Sequence, residues 1–188
     1  MPTKQTTKKY SIAQIALNLM VACFISGLVI AVTYYITNPI AIKKAAIEKT
    51  ATMKELVTDA DSFKAVEGKT EWFTADKGGK TVAYVIPAET KGYGGPIEML
   101  VAVTTEGKVI NYSIITAKET PGLGDNASKE PFESKFRGKG SSDLVVTKDP
   151  TQTKNIQAMT GATITSKAVT KGVKAAVDEV VQFVGGKK

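Results

Sequence analysis

Near the start of the chain, apolar residues form one long run that no charge interrupts. No charged side chain occurs between Lys9 and Lys43, and residues 12–36 are mostly Ile, Leu, Val, Ala and Phe. About 20 apolar residues are enough for a helix to cross the hydrocarbon core of a bilayer. The pattern therefore predicts one transmembrane helix over residues 11–37, after a polar tail at residues 1–10.

A cleaved signal peptide is the alternative interpretation of this run. The run is long for a signal core, and no small-x-small cleavage site closes it, so a retained anchor is favoured. Lysines flank both of its ends, so the positive-inside rule leaves the orientation of the anchor almost undecided.

Beyond the anchor the pattern changes twice. Pro39 predicts an exit from the first helix, and residues 38–66, rich in Ala, Lys, Glu, Met and Leu, predict a helical stalk. The run Asp-Ala-Asp-Ser at residues 59–62 is the place where this stalk would break. Residues 67–188 then read as one domain. Its strand-like runs, separated by glycine-containing turns at 77–80 and 105–107, predict an antiparallel sheet packed on helices, an α+β fold. The predicted strands are 81–86, 99–104, 108–115 and 144–147.

The last part of the domain predicts an amphipathic helix over residues 165–184. Apolar residues recur there at helical spacing and Gly185 follows as a stop signal. They are Val169, Val173, Ala176, Val177, Val180 and Val184.

Four hydroxyl side chains crowd the place where this helix must begin, in the run Thr-Gly-Ala-Thr-Ile-Thr-Ser at residues 160–166. The N-terminus of a helix has backbone N–H groups without intrahelical partners and the positive end of the helix dipole, so it favours anions. Lys167 and Lys171 lie where the dipole disfavours cations, a conflict that a bound anion would remove. The alternative is that the hydroxyls are ordinary N-caps and the lysines are solvated. The pattern thus indicates an anion site without identifying the anion.

Two glycine-rich loops interrupt the sheet region. The first is residues 92–97 and the second is residues 118–124, in which Pro121 fixes one dihedral angle while Gly122 and Gly124 expose backbone to a ligand. Ordinary β-turns are the alternative interpretation. Phe132 and Phe136, four residues apart, are predicted to be core anchors on a short helix.

The amino-acid composition limits the metal sites and catalytic groups that this chain can form by itself. The 188 residues include no histidine and one cysteine, Cys23, so this chain alone supplies no zinc site, iron–sulfur cluster, histidine-ligated haem or Ser-His-Asp triad. Redox work would therefore need an organic cofactor, and neither a catalytic side chain nor a metal ligand is predicted. The net charge of +7 suits an anionic membrane surface or an acidic partner. Because the excess is diffuse, nucleic acid is not predicted as a partner.

The run at residues 160–166 resembles the Ser/Thr-Gly-Ala-Thr flavinylation motif of the G subunit of the Rnf electron-transport complex. It equally resembles the motif of the related C subunit of the sodium-translocating NADH:quinone reductase. The resemblance to the Rnf G subunit extends over nearly the whole chain, because the anchor, both glycine-rich loops and the phenylalanine pair occur in the family order. It implies an FMN-binding domain whose FMN is held covalently, with its phosphate esterified to Thr163.

The same resemblance implies that three loops converge on one flavin, with Lys118 and Glu119 as candidates for tuning the ring. The cofactor-binding residues that it implies are Thr160, Gly161, Ala162, Thr163 and Thr165 in the motif, Tyr93 and Gly94 in the first loop, and Glu119, Thr120, Gly122, Leu123 and Gly124 in the second.

The function that the resemblance implies is electron relay inside an ion-translocating ferredoxin:NAD oxidoreductase. The chain would be an enzyme only as a subunit of this translocase. Its partners would be the other subunits, membrane lipid and a flavin transferase for maturation. It would be a single-pass protein of the cytoplasmic membrane with its C-terminal domain on the extracytoplasmic side. The alternatives are a C-type subunit of the sodium-pumping quinone reductase, a membrane-anchored sensor that binds a phosphate-bearing ligand non-covalently, and a flavin reductase, which the absence of a dinucleotide fingerprint disfavours.

Overall fold

The computed structural model describes residues 11–186, so the predicted tail at residues 1–10 lies outside the described residues. The chain divides into two compact units, Met1–Glu48 and Lys49–Lys188. The helices are α1 (Ile12–Leu56), α2 (Glu130–Glu133) and α3 (Thr163–Gly185). The strands are β1 (Ser62–Ala65), β2 (Phe73–Lys77), β3 (Lys80–Lys91), β4 (Pro96–Thr104), β5 (Val109–Ala117), β6 (Val146–Thr147) and β7 (Ile156–Gln157). Short 3₁₀ turns lie at Gly124–Ser128, Ser134–Phe136 and Ser141–Asp143.

In the first unit, residues 12–48 belong to α1. The segment Ile12–Pro39 is 28 residues long with a mean hydropathy of 2.5, so by length and composition it is able to cross a membrane. Large apolar side chains along it face outward, including Phe24 at 71% exposure. A helix satisfies its own backbone hydrogen bonds, which is what a hydrocarbon environment requires.

Two predictions about α1 are wrong. The helix does not end at Pro39 but continues through it to Leu56. It also stops short of residue 66, the predicted end of the stalk, because residues 62–65 form β1 and pair with β2. The helix ends at Leu56, close to the break predicted at residues 59–62. The carboxylates that follow the helix explain this stop, since acidic groups are unfavourable at a helix C-terminus. Asp59 pairs with Lys77 at 3.1 Å, and Asp61 accepts a hydrogen bond from the Gly78 N–H at 2.8 Å.

In the second unit, five strands among the described residues form one antiparallel sheet in the order β1-β2-β3-β4-β5. The predicted turns are confirmed: Gly78 and Gly79 connect β2 to β3, and Gly107 precedes β5, each with a positive φ that suits glycine. The strand predicted at residues 144–147 is shorter than expected, since only Val146 and Thr147 pair, in parallel with β7.

Both faces of the sheet are covered by apolar side chains of the same unit. On one face α3 contributes Val169, Val173, Val177 and Val180, which are fully buried. On the other face Met53, Leu56 and Val57 pack against the sheet residues Ala83, Val85 and Leu100.

The predicted core role of the phenylalanine pair is confirmed. Phe132 and Phe136 are buried with their ring centroids 5.3 Å apart, and the ring of Tyr112 packs edge-on against Phe136 at 4.9 Å. The hydroxyl of Tyr112 donates to the carbonyl of Ala127 at 2.5 Å. This bond ties β5 to the 3₁₀ turn that follows the second glycine-rich loop.

Tyr112→Phe is expected to destabilise the domain by about 1–2 kcal/mol, because it leaves the Ala127 carbonyl without its buried donor. The check is denaturant unfolding of the full chain in detergent, followed by fluorescence of Trp72, the one tryptophan in the sequence. Tyr93→Phe is the matched control, since its side chain is 69% exposed, and it should leave the midpoint unchanged. Equal stability of the two variants would contradict the assigned role of the Tyr112 bond.

Candidate functional site

The candidate site is built around the start of α3, which lies two residues earlier than predicted. Thr163 is the first residue of the helix, Ala162 is its N-cap, and no side chain within the described part of the chain caps this end. Gly161 precedes it with a φ of 75°. The interpretation of the hydroxyls as ordinary N-caps is therefore wrong, because an alanine occupies the capping position.

The four hydroxyls of the motif have different roles. Thr165 is buried and donates to Glu119 Oε2 at 2.5 Å. Ser166 is also buried; it accepts from the Met159 N–H at 3.0 Å and donates to the Ala162 carbonyl at 2.9 Å, which shapes the loop before the helix. Neither Thr160 nor Thr163 has a hydrogen-bond partner for its hydroxyl among residues 11–186. Thr163, half-buried in the first helical turn, thus combines a free hydroxyl with proximity to the helix N-terminus.

The electrostatic environment of Thr163 favours an anion. The backbone N–H groups of Thr163, Ile164 and Thr165 precede the first intrahelical bond, which runs from the Ser166 N–H to the Ala162 carbonyl at 3.0 Å. The first turn contains no acidic residue. Lys167, exposed one turn further along the same helix face as Thr163, adds a positive charge.

A single carboxylate holds the three predicted loops together. Glu119 Oε1 accepts from the Gly94 N–H at 3.1 Å in the first glycine-rich loop, while Oε2 accepts from Thr165 at the start of α3. Glu119 itself belongs to the second glycine-rich loop. The three loops therefore lie together in the structure, joined by Glu119 through bonds to protein groups. Their convergence on one flavin stays a prediction.

Glycines make this close approach of the loops feasible. A methyl group at Gly92 would collide with the carboxylate of Glu119, and one at Gly94 would collide with the backbone carbonyl of Lys118. At Gly124 a Cβ would lie 2.5 Å from Glu119 Oε2 and 2.9 Å from the Thr165 hydroxyl. These three positions leave no room for any side chain.

Three large apolar side chains are exposed on these loops and on the first turn of α3. Tyr93 is 69% exposed, Leu123 is 44% exposed and Ile164 is 55% exposed. Leu123 reaches back toward the motif, since its Cδ2 lies 3.0 Å from the ideal Cβ position of Gly161. Exposed apolar groups beside an anion-binding helix end are suited to an aromatic ring system that carries a phosphate.

The remaining predicted residues shape the second loop. The Thr120 carbonyl accepts from the Leu123 N–H at 3.1 Å, and Gly122 adopts a φ of 77° that places Leu123 at the loop tip. Sequence reasoning missed Ile164 and Ser166 as functional candidates. Nothing in the sequence distinguished them, because an apolar residue and a serine in a first helical turn are both common.

These residues fit FMN. The unpaired N–H groups and the Thr163 hydroxyl suit its phosphate, and the exposed Tyr93, Leu123 and Ile164 suit its ring. Residues 92–178 match the protein family described as FMN-binding domain, a range that contains all three loops. The fold and the site therefore define an FMN-binding protein.

The similarity to known proteins extends well beyond that domain. The chain is 60% identical over 177 residues to the G subunit of the proton-translocating ferredoxin:NAD(+) oxidoreductase complex of Clostridium ljungdahlii, covering 94% of this chain and 96% of that protein. It is 31% identical over 185 residues to the G subunit of the Na(+)-translocating complex of Acetobacterium woodii, covering 87% and 89%. The chain belongs to the family of Rnf G subunits.

Solved structures support the same fold. The C subunit of the Na(+)-translocating NADH-quinone reductase of Parabacteroides distasonis is similar with a TM-score of 0.51 and 25% identity, over 60% of this chain and 61% of that chain. NqrC of Shewanella oneidensis has a TM-score of 0.51 and 19% identity, over 69% of this chain and 73% of that chain. The second likeness concerns the fold alone.

Gly94→Ala is expected to destabilise the domain by about 1–3 kcal/mol, because the added methyl pushes the first loop away from Lys118 and stretches its bond to Glu119. Denaturant unfolding followed by Trp72 fluorescence measures this loss. Gly185→Ala is the control: a Cβ there meets open space at a helix end, so stability should stay equal or rise slightly. If Gly94→Ala left the free energy of unfolding unchanged, the loops would not need this close approach.

Proposed function

We propose that this chain carries electrons on an FMN bonded covalently to Thr163, as the relay subunit of a membrane-bound, ion-translocating ferredoxin:NAD oxidoreductase. The observation that carries the proposal is the position of Thr163. Its hydroxyl is free of protein partners among the described residues and lies in the first turn of α3, the turn whose N–H groups precede the first intrahelical bond. Membership of the Rnf G family supplies the complex in which such a relay would work.

In the proposed adduct, Thr163 Oγ bonds to the phosphorus of FMN, and the product weighs as much as protein plus FMN less one water. The N–H groups of Ile164 and Thr165, together with Lys167, would stabilise the remaining phosphate charge. When bound, the flavin supplies the electron-carrying chemistry, which no side chain of this chain provides.

The protein groups around the site would hold the flavin ring in one position. Glu119 fixes the loops through Gly94 and Thr165, so that Tyr93, Leu123 and Ile164 present one apolar surface to the ring. Lys118, whose backbone carbonyl lies against Gly94, and the backbone of the Gly122 turn would bias the redox state of the ring through charge and hydrogen bonds. None of these residues needs to act on a substrate, so the isolated chain would be a carrier without turnover.

The same proposal includes the membrane anchor, the location of the FMN-binding domain and the proteins that assist it. The apolar segment Ile12–Pro39 would anchor the chain in the cytoplasmic membrane, with the FMN-binding domain on the extracytoplasmic side. A flavin transferase would attach the cofactor, and other proteins of the complex would conduct the ion, because no carboxylate occurs in the predicted span.

A C-type subunit of a sodium-pumping NADH:quinone reductase is the second candidate, since the solved structures similar to this chain have that role. The same fold and the same threonine would serve there. Coverage of 94% of the chain by an Rnf G relative favours the first candidate.

Thr163→Ala is expected to abolish the covalent flavin. In protein from native membranes, intact mass and a peptide map should place FMN less one water on Thr163, with a fluorescent band that survives a denaturing gel. The variant should lack both signals, and its membranes should lose NAD reduction by reduced ferredoxin. Thr58→Ala, which removes an exposed hydroxyl elsewhere, is the control and should keep all three signals. An unmodified native peptide would favour a sensor that binds its phosphate-bearing ligand non-covalently.

Sidedness has its own test, which does not depend on the flavin. In a Cys23→Ala background, Lys80→Cys places one thiol at the exposed turn between β2 and β3. A membrane-impermeant maleimide should label this thiol in intact cells. Labelling only after lysis would place the domain in the cytoplasm.

A further inference from the structure

A pocket of about 310 Å³ lies away from the three loops of the candidate site. One wall is formed by residues 134–139 and the other by residues 150–157. We call this cavity the 134–157 pocket. Three of its lining residues are cations, Lys135, Arg137 and Lys139, and none of the lining residues is Asp or Glu. Its volume is at the small end of the range for ligand pockets.

Two lysines reach across this pocket to backbone carbonyls of the facing wall. Lys135 Nζ donates to the Gln157 carbonyl at 3.2 Å, and Lys139 Nζ donates to the Thr153 carbonyl at 2.7 Å. These acceptors are neutral, so they orient the ammonium groups without cancelling their charge. An ammonium has three donors, and each lysine uses one of them here on a carbonyl. Both lysines therefore retain donors for an anion.

The other lining groups add further donors. Arg137 is fixed by a bidentate pair with Glu130, at 2.7 and 2.8 Å, which holds its plane but offsets its charge. The amide side chains of Gln152, Asn155 and Gln157 complete the lining with neutral donors. By contrast, Lys154, on the same loop, is paired with Asp143 at 3.7 Å and does not line the pocket.

We propose that the 134–157 pocket binds a phosphate group, through the ammonium groups of Lys135 and Lys139 and the amides around them. Lys135 and Lys139 both lie on the 134–139 wall, donate to carbonyls of the 150–157 wall and have no carboxylate partner among the described residues. Such a pair of ammonium groups matches a compact dianion that accepts several hydrogen bonds, and charge-assisted bonds of this kind are the strong ones. The phosphate would be free or part of an ester such as a lipid headgroup. The site is independent of the flavin that Thr163 is proposed to carry.

The test uses the full chain in nanodiscs of zwitterionic lipid, titrated with inorganic phosphate against chloride at constant ionic strength, with backbone amide NMR as the readout. Phosphate is expected to shift the amides of residues 135–139 and 152–157. Lys135→Gln and Lys139→Gln should each weaken this binding about tenfold, the usual loss for a charged hydrogen bond. Lys154→Gln removes the same charge outside the pocket and should bind like the wild type.

Lys139→Arg keeps both the charge and the donor to Thr153, so it should retain binding even where Lys139→Gln weakens the loop. Shifts confined to residues 161–166 would overturn the proposal, because phosphate would then bind only at the start of α3. Equal binding by Lys135→Gln, Lys154→Gln and the wild type would overturn it as well.

A second arm distinguishes the two sources of the phosphate group. Replacing part of the zwitterionic lipid with phosphatidic acid, without added phosphate, should shift the same amides if the natural ligand is a lipid headgroup. Shifts with inorganic phosphate alone identify a soluble ligand. If succinate shifts these amides and neither phosphate source does, the pocket accepts carboxylates and the proposal is wrong.

Discussion

The bridge made by the Glu119 carboxylate is the interaction on which the site depends. One oxygen accepts from the Gly94 N–H and the other from the buried Thr165 hydroxyl, so two loops and the start of α3 meet at one side chain. A half-buried carboxylate needs such donors, because burial without hydrogen bonds is unfavourable for a charge. Gly92 and Gly124 are placed beside it where a methyl group would displace it. The glycines of the loops thus leave room for Glu119, in addition to allowing backbone conformations that other residues disfavour.

The sheet and α3 explain why this bridge is held in place. Val169 and Val173 of α3 are fully buried against the sheet, so the helix cannot slide along its axis without opening the core. Its first turn is thereby fixed relative to the ends of β3 and β5, where the two glycine-rich loops begin. Ser166 adds a local constraint by bonding both Met159 and Ala162. A free hydroxyl on Thr163 is consequently held in one position by elements that are rigid for other reasons.

Sequence reasoning was most successful where local chemistry decides structure. The sheet hairpins were predictable because Gly78, Gly79 and Gly107 allow positive φ at the turns, and the valines of α3 fixed its buried face. It failed where tertiary contacts outweigh propensity. Residues 62–65 become β1 because they pair with β2, which no helix propensity can anticipate. Pro39 stays inside α1 because helices of apolar segments tolerate proline better than those in water. In the site, the positions of the two glycine-rich loops were predictable from the sequence, whereas the bonds of Glu119 and the Ala162 cap depend on tertiary contacts that the sequence does not show.

Because an alanine occupies the N-cap of α3, attachment of a cofactor at this end would change the stability of the folded chain. A helix that begins without a capping side chain forgoes about 1 kcal/mol relative to one capped by Ser or Asp. A group attached at Thr163 would contact those N–H donors only in the folded chain, so these contacts would raise the free energy of unfolding. A chain that still lacks such a group leaves the N–H donors of residues 163–165 without hydrogen-bond partners among the described residues, next to the hydroxyl at which attachment is proposed. Covering these donors would remove the stability cost of the alanine cap, so the mature chain would resist unfolding more than the chain before attachment.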